Sequence, residues 1–161
     1  MSLDRVTFRE LFLYQADDVA LLRNMKLRDE DEEEVKALLG DVDVAEALIT
    51  SVKVSSVTYA VFYDNELCFV FGLVDSPTDS TKTSPWMLGT NESLKHVRPL
   101  LRFSKMIISA MLEGYSTLEN VVWEGNTKHI VWLKKTGFTF DNDRDIIIND
   151  SKFLYFYMER H

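Results

Sequence analysis

The hydrophobic pattern changes period several times along the chain, and each change marks an element. Val6 to Tyr14 (VTFRELFLY) mixes β-branched, aromatic and polar residues and predicts a first strand. After it, Val19, Leu22 and Met25 recur at helical spacing, which predicts a helix opening at Ala16-Asp17-Asp18 with Asp17 as its cap. A second helix fits Asp31 to Leu39 and closes at Gly40; a third, Val42 to Ser51, carries Val44, Ala47 and Leu48. Val57 to Tyr63 and Leu67 to Val74 are both β-rich and are separated by Asp64-Asn65, the clearest hairpin signal in the chain.

Asp75 to Pro85 is polar, holds two prolines and predicts a loop, followed by a short strand at Trp86 to Thr90. Pro99 to Leu112 is helical again. Leu101, Ser104, Ile108 and Met111 form one stripe, with Leu100 and Ile107 beside it. Pro99 suits the first turn, where a missing N–H costs nothing, and Gly114 ends the helix. Leu118 to Glu124 predicts a strand and Thr127 to Thr136 a helix capped by Gly137. FTFDND and SKFLYFYM predict two last strands, joined by a polar stretch containing Ile146 to Ile148. A strand–helix–strand–helix core following a hairpin predicts a mixed sheet with helices on its faces. There is no internal repeat, low-complexity tract or linker, so residues 1–161 read as a single domain.

Composition narrows the function classes. With 46% hydrophobic and 12% aromatic residues, the chain can build a proper core. No run approaches the roughly 18 apolar residues of a membrane span, and the start, MSLDRVTF, has no apolar signal region. The formal charge of −8 argues against a phosphate-tracking, nucleic-acid-binding surface. Part of the acidic excess is the run Asp29 to Glu34 (DEDEEE), which reads as a solvated helix start at the positive end of the helix dipole. Cys68 is the only cysteine and sits in the apolar run LCFVFGLV, so it reads as a small buried hydrophobe; no cysteine-rich metal site is available.

Chemistry concentrates in Val121 to Phe138, VVWEGNTKHIVWLKKTGF. Asn126 follows a strand and opens a helix, the position from which an Asn side chain caps free N–H groups. His129 lies three residues into that helix and reads as a packed or surface histidine, with no nucleophile and orienting acid beside it in the sequence. His96, in the basic segment, is better placed to touch an anion. Trp86, Trp123 and Trp132 read as core or interface aromatics.

The order of elements and the Asn126, Gly137, Phe138 spacing resemble the GNAT fold of acetyl-CoA-dependent N-acetyltransferases. That resemblance implies a mixed, mostly antiparallel central sheet with helices on both faces. It also implies acetyl-CoA held by backbone donors of Met87, Leu88 and the loop before Pro99, contact from Asn126, and Glu124 as the base for an amine. Two features depart from the pattern. The tyrosine that often protonates the departing thiolate falls at Leu133, which has no proton to give; Tyr115, Tyr155 and Tyr157 are the phenols available to replace it. The glycine-rich phosphate loop falls at TNESLKHVRPLLRF, and there is no glycine from Thr90 to Glu113. Lys95, Arg98, Arg102 and Lys105, at offsets of 3, 4 and 3, would supply charge there or simply flank a buried apolar face.

Trp86 to Phe138 also resembles a small protein of short-tailed phages related to the internal virion protein A family. The likeness rests on Trp123, Gly125, Asn126, Thr127, His129, Ile130, Leu133 and Lys134. It implies a phage protein on an acetyltransferase-like scaffold, catalytically degenerate, that acts by binding a virion or host protein during assembly or infection, in the host cytoplasm or the virion. The alternative is an acetyl-CoA-dependent N-acetyltransferase. A third reading is a host-directed inhibitor that docks through the acidic face Asp29 to Glu34.

Overall fold

The computed structural model describes residues 5–161; Met1–Asp4, the start of the MSLDRVTF segment, lie outside the described residues. The chain runs β1 (Val6–Glu10), α1 (Ala16–Asn24), α2 (Asp29–Leu39), α3 (Val44–Val54), β2 (Val57–Tyr63), β3 (Glu66–Asp75) and β4 (Lys82–Gly89). A 3-10 turn (Asn91–Lys95) leads to α4 (Val97–Gly114), β5 (Thr117–Trp123), α5 (Thr127–Thr136), β6 (Thr139–Phe140), β7 (Ile146–Ile148) and β8 (Ser151–Glu159). Among the described residues the strands form one sheet in the order β1-β2-β3-β4-β5-β8-β6, with β7 also on β8. The β4–β5 pair is parallel and the others are antiparallel. The expected mixed, mostly antiparallel α/β sheet is therefore present.

Strand alternation explains why helices cover both faces. On β2 and β3, Ala60 and Val70 point to one side, where they pack with Leu22, Val35 and Leu48 of α1, α2 and α3. Val61, Phe69 and Phe71 point to the other, against Leu100 and Phe103 of α4. A third cluster joins Leu118 and Val122 of β5, Leu133 of α5 and Phe156 of β8. Cys68 is fully buried, and burial pushes its thiol up to about 11.

Three local expectations are corrected. Asp17 does not cap α1: the N-cap is Gln15, without a side-chain bond, while Asp18 accepts from the Phe12 amide and pairs with Arg9. The loop expected up to Pro85 ends earlier, since β4 begins at Lys82. Pro85 sits within the strand because β4 has parted from β5 there, so its missing N–H breaks no β4–β5 bond. Ile146–Ile148 is a strand, folded onto β8 through Asn149-Asp150, both in the left-handed region. The hairpin at Asp64-Asn65 uses the same left-handed pair.

Candidate functional site: a wedge between two parallel strands

β4 and β5 pair only at Lys82–Thr117 and Thr83–Leu118. Beyond that point β4 stays with β3 as far as Gly89 and β5 with β8 as far as Trp123, so the two diverge. A diverging parallel pair leaves backbone donors without a strand partner, and each must find another acceptor.

Side chains supply those acceptors. Near the apex, the Asn120 amide donates to the Pro85 carbonyl at 2.8 Å, and its oxygen accepts from the Val121 N–H at 2.8 Å. At the open end α2 reaches in. One oxygen of Asp31 accepts from the Gly89 N–H at 2.7 Å, and the other accepts from the Asn126 amide at 2.9 Å. Glu34 accepts from the Trp123 N–H at 3.2 Å and from the Asn126 amide at 3.1 Å. Asn126 also caps α5, accepting from the His129 N–H at 3.3 Å. Arg28, itself buried, donates to Asp31 at 3.0 Å through Nε, and its backbone N–H donates to the Gly89 carbonyl at 2.8 Å. One carboxylate pair thus ties α2, the end of β4, the end of β5 and the cap of α5.

This corrects the solvated reading of the acidic run. Asp31 has no exposed surface and Glu34 is part-buried, while Asp29 and Glu33 face solvent. Spacing explains the division: residues 31, 34, 35 and 38 share one helical face, and the buried Val35 anchors it. The run was acidic throughout, so composition hid the periodicity.

Electrostatics follow from burial. Desolvation pushes the Glu34 carboxyl up to about 7, helped by the Asp31 charge and opposed by the bond from Asn126. His129 is packed, as expected, and burial pushes its imidazole down to about 4, so it is neutral at pH 7. Its Nδ1 is buried without a hydrogen-bond partner. His129 borders two cavities that meet in the wedge and share Pro85, Trp86, Met87 and Phe156. The one beside α2 and α3 is about 160 Å³ and includes Glu34 and Asn120. The one beside α4 and α5 is about 70 Å³ and includes Trp132 and Leu133.

The residues singled out in the sequence scatter around this centre. Met87 borders both cavities and Leu88 the larger. Asn126 lies at the heart of the polar cluster. Glu124 is exposed in the turn after β5 and lines neither wedge cavity. Lys95 pairs with Glu92 at 3.0 Å, and Arg98 and Arg102 are exposed on α4. α4 begins at Val97 and Asn91–Lys95 is a 3-10 turn, so Lys95 is not on one helical face with Arg98, Arg102 and Lys105. The Ser93 N–H of that turn is bonded to the Thr90 carbonyl. His96 stacks on Tyr63 at 3.8 Å and faces Glu92. Tyr115 donates to Asp75 and Tyr155 to Glu119, each at a distance of 2.7 to 2.8 Å, and neither they nor Tyr157 line the wedge cavities.

The overall fold recurs in known structures. The chain is similar to AAC(6')-Ib in complex with ribostamycin and coenzyme A, with a TM-score of 0.73 at 15% identity over 98% of this chain and 94% of that one. The fold is GNAT-like. Spermidine N-acetyltransferase from Vibrio cholerae aligns with a TM-score of 0.66 at 11% identity, covering 97% of this chain and 96% of that one. The Campylobacter jejuni N-acetyltransferase PseH aligns at 0.60 and 19% identity, covering 98% and 99%. At these identities the GNAT likeness is one of fold.

Sequence similarity points elsewhere. The family described as bacteriophage T7 probable scaffold protein Gp13 matches residues 76–144. The probable scaffold protein gp13 of Escherichia phage T7 is 47% identical over 45 residues, 26% of this chain. That match spans about a third (33%) of the length of the phage protein. The matched segment contains β4, α4, β5 and α5, the elements that frame the wedge.

Proposed function

We propose that this chain is a phage protein that uses a GNAT-like scaffold for binding in virion assembly or infection, with acetyl transfer weak or absent. The observation that carries the reading is the tie across the wedge: Asp31 holds the Gly89 N–H at 2.7 Å and Asn126 at 2.9 Å. In a cofactor-binding GNAT, donors of a splayed β4 are needed for the ligand; here α2 takes the one at the open end, the Gly89 N–H. The glycine-free loop, Pro99 and Leu133 point the same way. The similarity of residues 76–144 to a probable phage scaffold protein supports an assembly role, with a virion or host protein as partner. Kinship to the internal virion protein A family is part of this proposal. The host cytoplasm and the virion are the places where it would act.

One observation favours the enzymatic alternative. Glu34, with its carboxyl near 7, borders the 160 Å³ cavity, where a general base would stand. In that reading Glu34 replaces Glu124 as the base, with Met87, Leu88 and Asn126 near the cofactor and Lys95, Arg98 and Arg102 toward its phosphates. The host-directed reading loses ground because Asp31 and Glu34 turn inward and Glu30 is engaged by Lys128 at 3.0 Å.

Calorimetric titration with acetyl-CoA and with CoA tests the proposal. No heat at millimolar ligand, with an unchanged melting temperature, is the expected result. Micromolar binding of either ligand would replace it with the acetyltransferase reading.

A further inference from the structure

Three exposed apolar side chains converge on one groove among the described residues. Leu94 comes from the turn before α4, Val97 from the start of α4 and Val131 from α5; they are 39%, 38% and 49% exposed. The groove is about 300 Å³, opens between the end of β4, the start of α4 and α5, and shares Phe69, Met87 and Trp132 with the α4–α5 side of the wedge. On a chain of net charge −8, every charged residue lining it is basic: Arg28, Lys128 and Lys135. Lys128, Val131 and Lys135 lie at offsets of 3 and 4 on one face of α5, so charge alternates with apolar surface.

The three cations are not equally occupied. Lys128 is held by Glu30 at 3.0 and 3.2 Å. Arg28 is paired with Asp31, yet its Nη2 is buried with no aligned hydrogen-bond acceptor, although it lies 2.9 Å from an Asp31 oxygen. Lys135 is exposed and has no carboxylate partner among the described residues. The groove therefore retains unspent positive charge beside uncovered apolar surface.

We infer that this groove docks a short acidic segment of a partner protein, one that carries large apolar side chains beside Asp or Glu. A phosphate ligand would meet the cations but leave the apolar side chains of Leu94, Val97 and Val131 uncovered. A segment with apolar and acidic side chains matches both features of the lining. This inference rests on the binding reading above and gives the partner its chemistry.

A random-peptide display library panned on the full chain tests it, with Val131→Glu and Lys135→Glu as comparators. Both positions are exposed, so the variants keep the wild-type melting temperature. The expected result is a pool enriched in acidic and large apolar residues. A synthetic peptide from that pool would lose roughly tenfold or more in affinity for each variant. A basic or featureless pool, or equal affinity for the variants, overturns the inference. Displacement of the peptide by micromolar CoA would overturn the binding reading as well, whereas failed enrichment without CoA binding overturns the inference alone.

Discussion

Removing the Asp31 carboxylate would leave three partners stranded at once. Asp31→Ala deprives the Arg28 guanidinium, 5% exposed at its side chain, of its counter-charge, and leaves the Gly89 N–H and the Asn126 amide without their shortest acceptors. Breaking a buried ion pair from one side costs about 3–5 kcal/mol. That is a large part of the roughly 5–15 kcal/mol by which a domain is stable. At about 2–4 °C per kcal/mol for a chain of this size, the melting temperature would fall by roughly 6–20 °C. Asp31→Asn keeps an oxygen in place and loses the charge, so it should cost roughly half as much. Asp29→Ala, two residues away on the exposed face, should change stability by less than about 0.5 kcal/mol. Urea unfolding followed by circular dichroism, with unchanged slopes, measures all three. An Asp31→Ala midpoint within error of Asp29→Ala would refute the idea that the tie across the wedge holds the open end of the sheet.

Other expectations concern pH, packing and reactivity. Glu34 has a folded value of about 7 against an ordinary value of 4.5, so the folded state holds its proton more tightly. Its stabilising share is complete below about pH 4.5 and is lost as pH rises through 7, up to about 3 kcal/mol. Glu34→Gln should therefore flatten the fall in stability between pH 5 and pH 8, measured by urea midpoints. His129 works in the opposite sense: with a folded value of about 4 against 6.5, its share is present above 6.5 and lost as pH falls toward 4. His129→Gln should reduce acid sensitivity in that window, read from the same midpoints. A Cβ at Gly125 would come within 2.4 Å of the Trp123 ring, so Gly125→Ala should lower stability by about 1–3 kcal/mol and change tryptophan fluorescence. Cys68, buried and raised to about 11, should resist a thiol reagent at pH 8 until urea unfolds the chain.

Local chemistry made much of this fold legible. The hairpin around Asp64-Asn65 and the α5 segment closed by Gly137 carry their signals within a few residues, and both stand where expected. The Asn126 cap could be read because capping is a short-range bond. Asp31 and Glu34 could not be read in the same way: their partners Gly89, Trp123 and Asn126 lie between 58 and 95 residues away. Only the spacing with Val35 hinted that one face of an all-acidic turn points inward. Pro85 misled because a proline in a strand counts as a breaker unless one edge is already unpaired, and that edge exists only once β4 and β5 diverge. Ile146–Ile148 was obscured by its polar neighbours, although Asn149-Asp150 is a fair turn pair.

Amide hydrogen exchange at Gly89 and Trp123, read by NMR with and without millimolar acetyl-CoA, bears most directly on the wedge. If the α2 carboxylates own these donors, both amides exchange slowly in the free protein, speed up in Asp31→Ala and Glu34→Ala respectively, and ignore the ligand. Fast exchange in the free protein, slowed by acetyl-CoA, would mean that the wedge is an open cofactor site and that the binding role is misassigned.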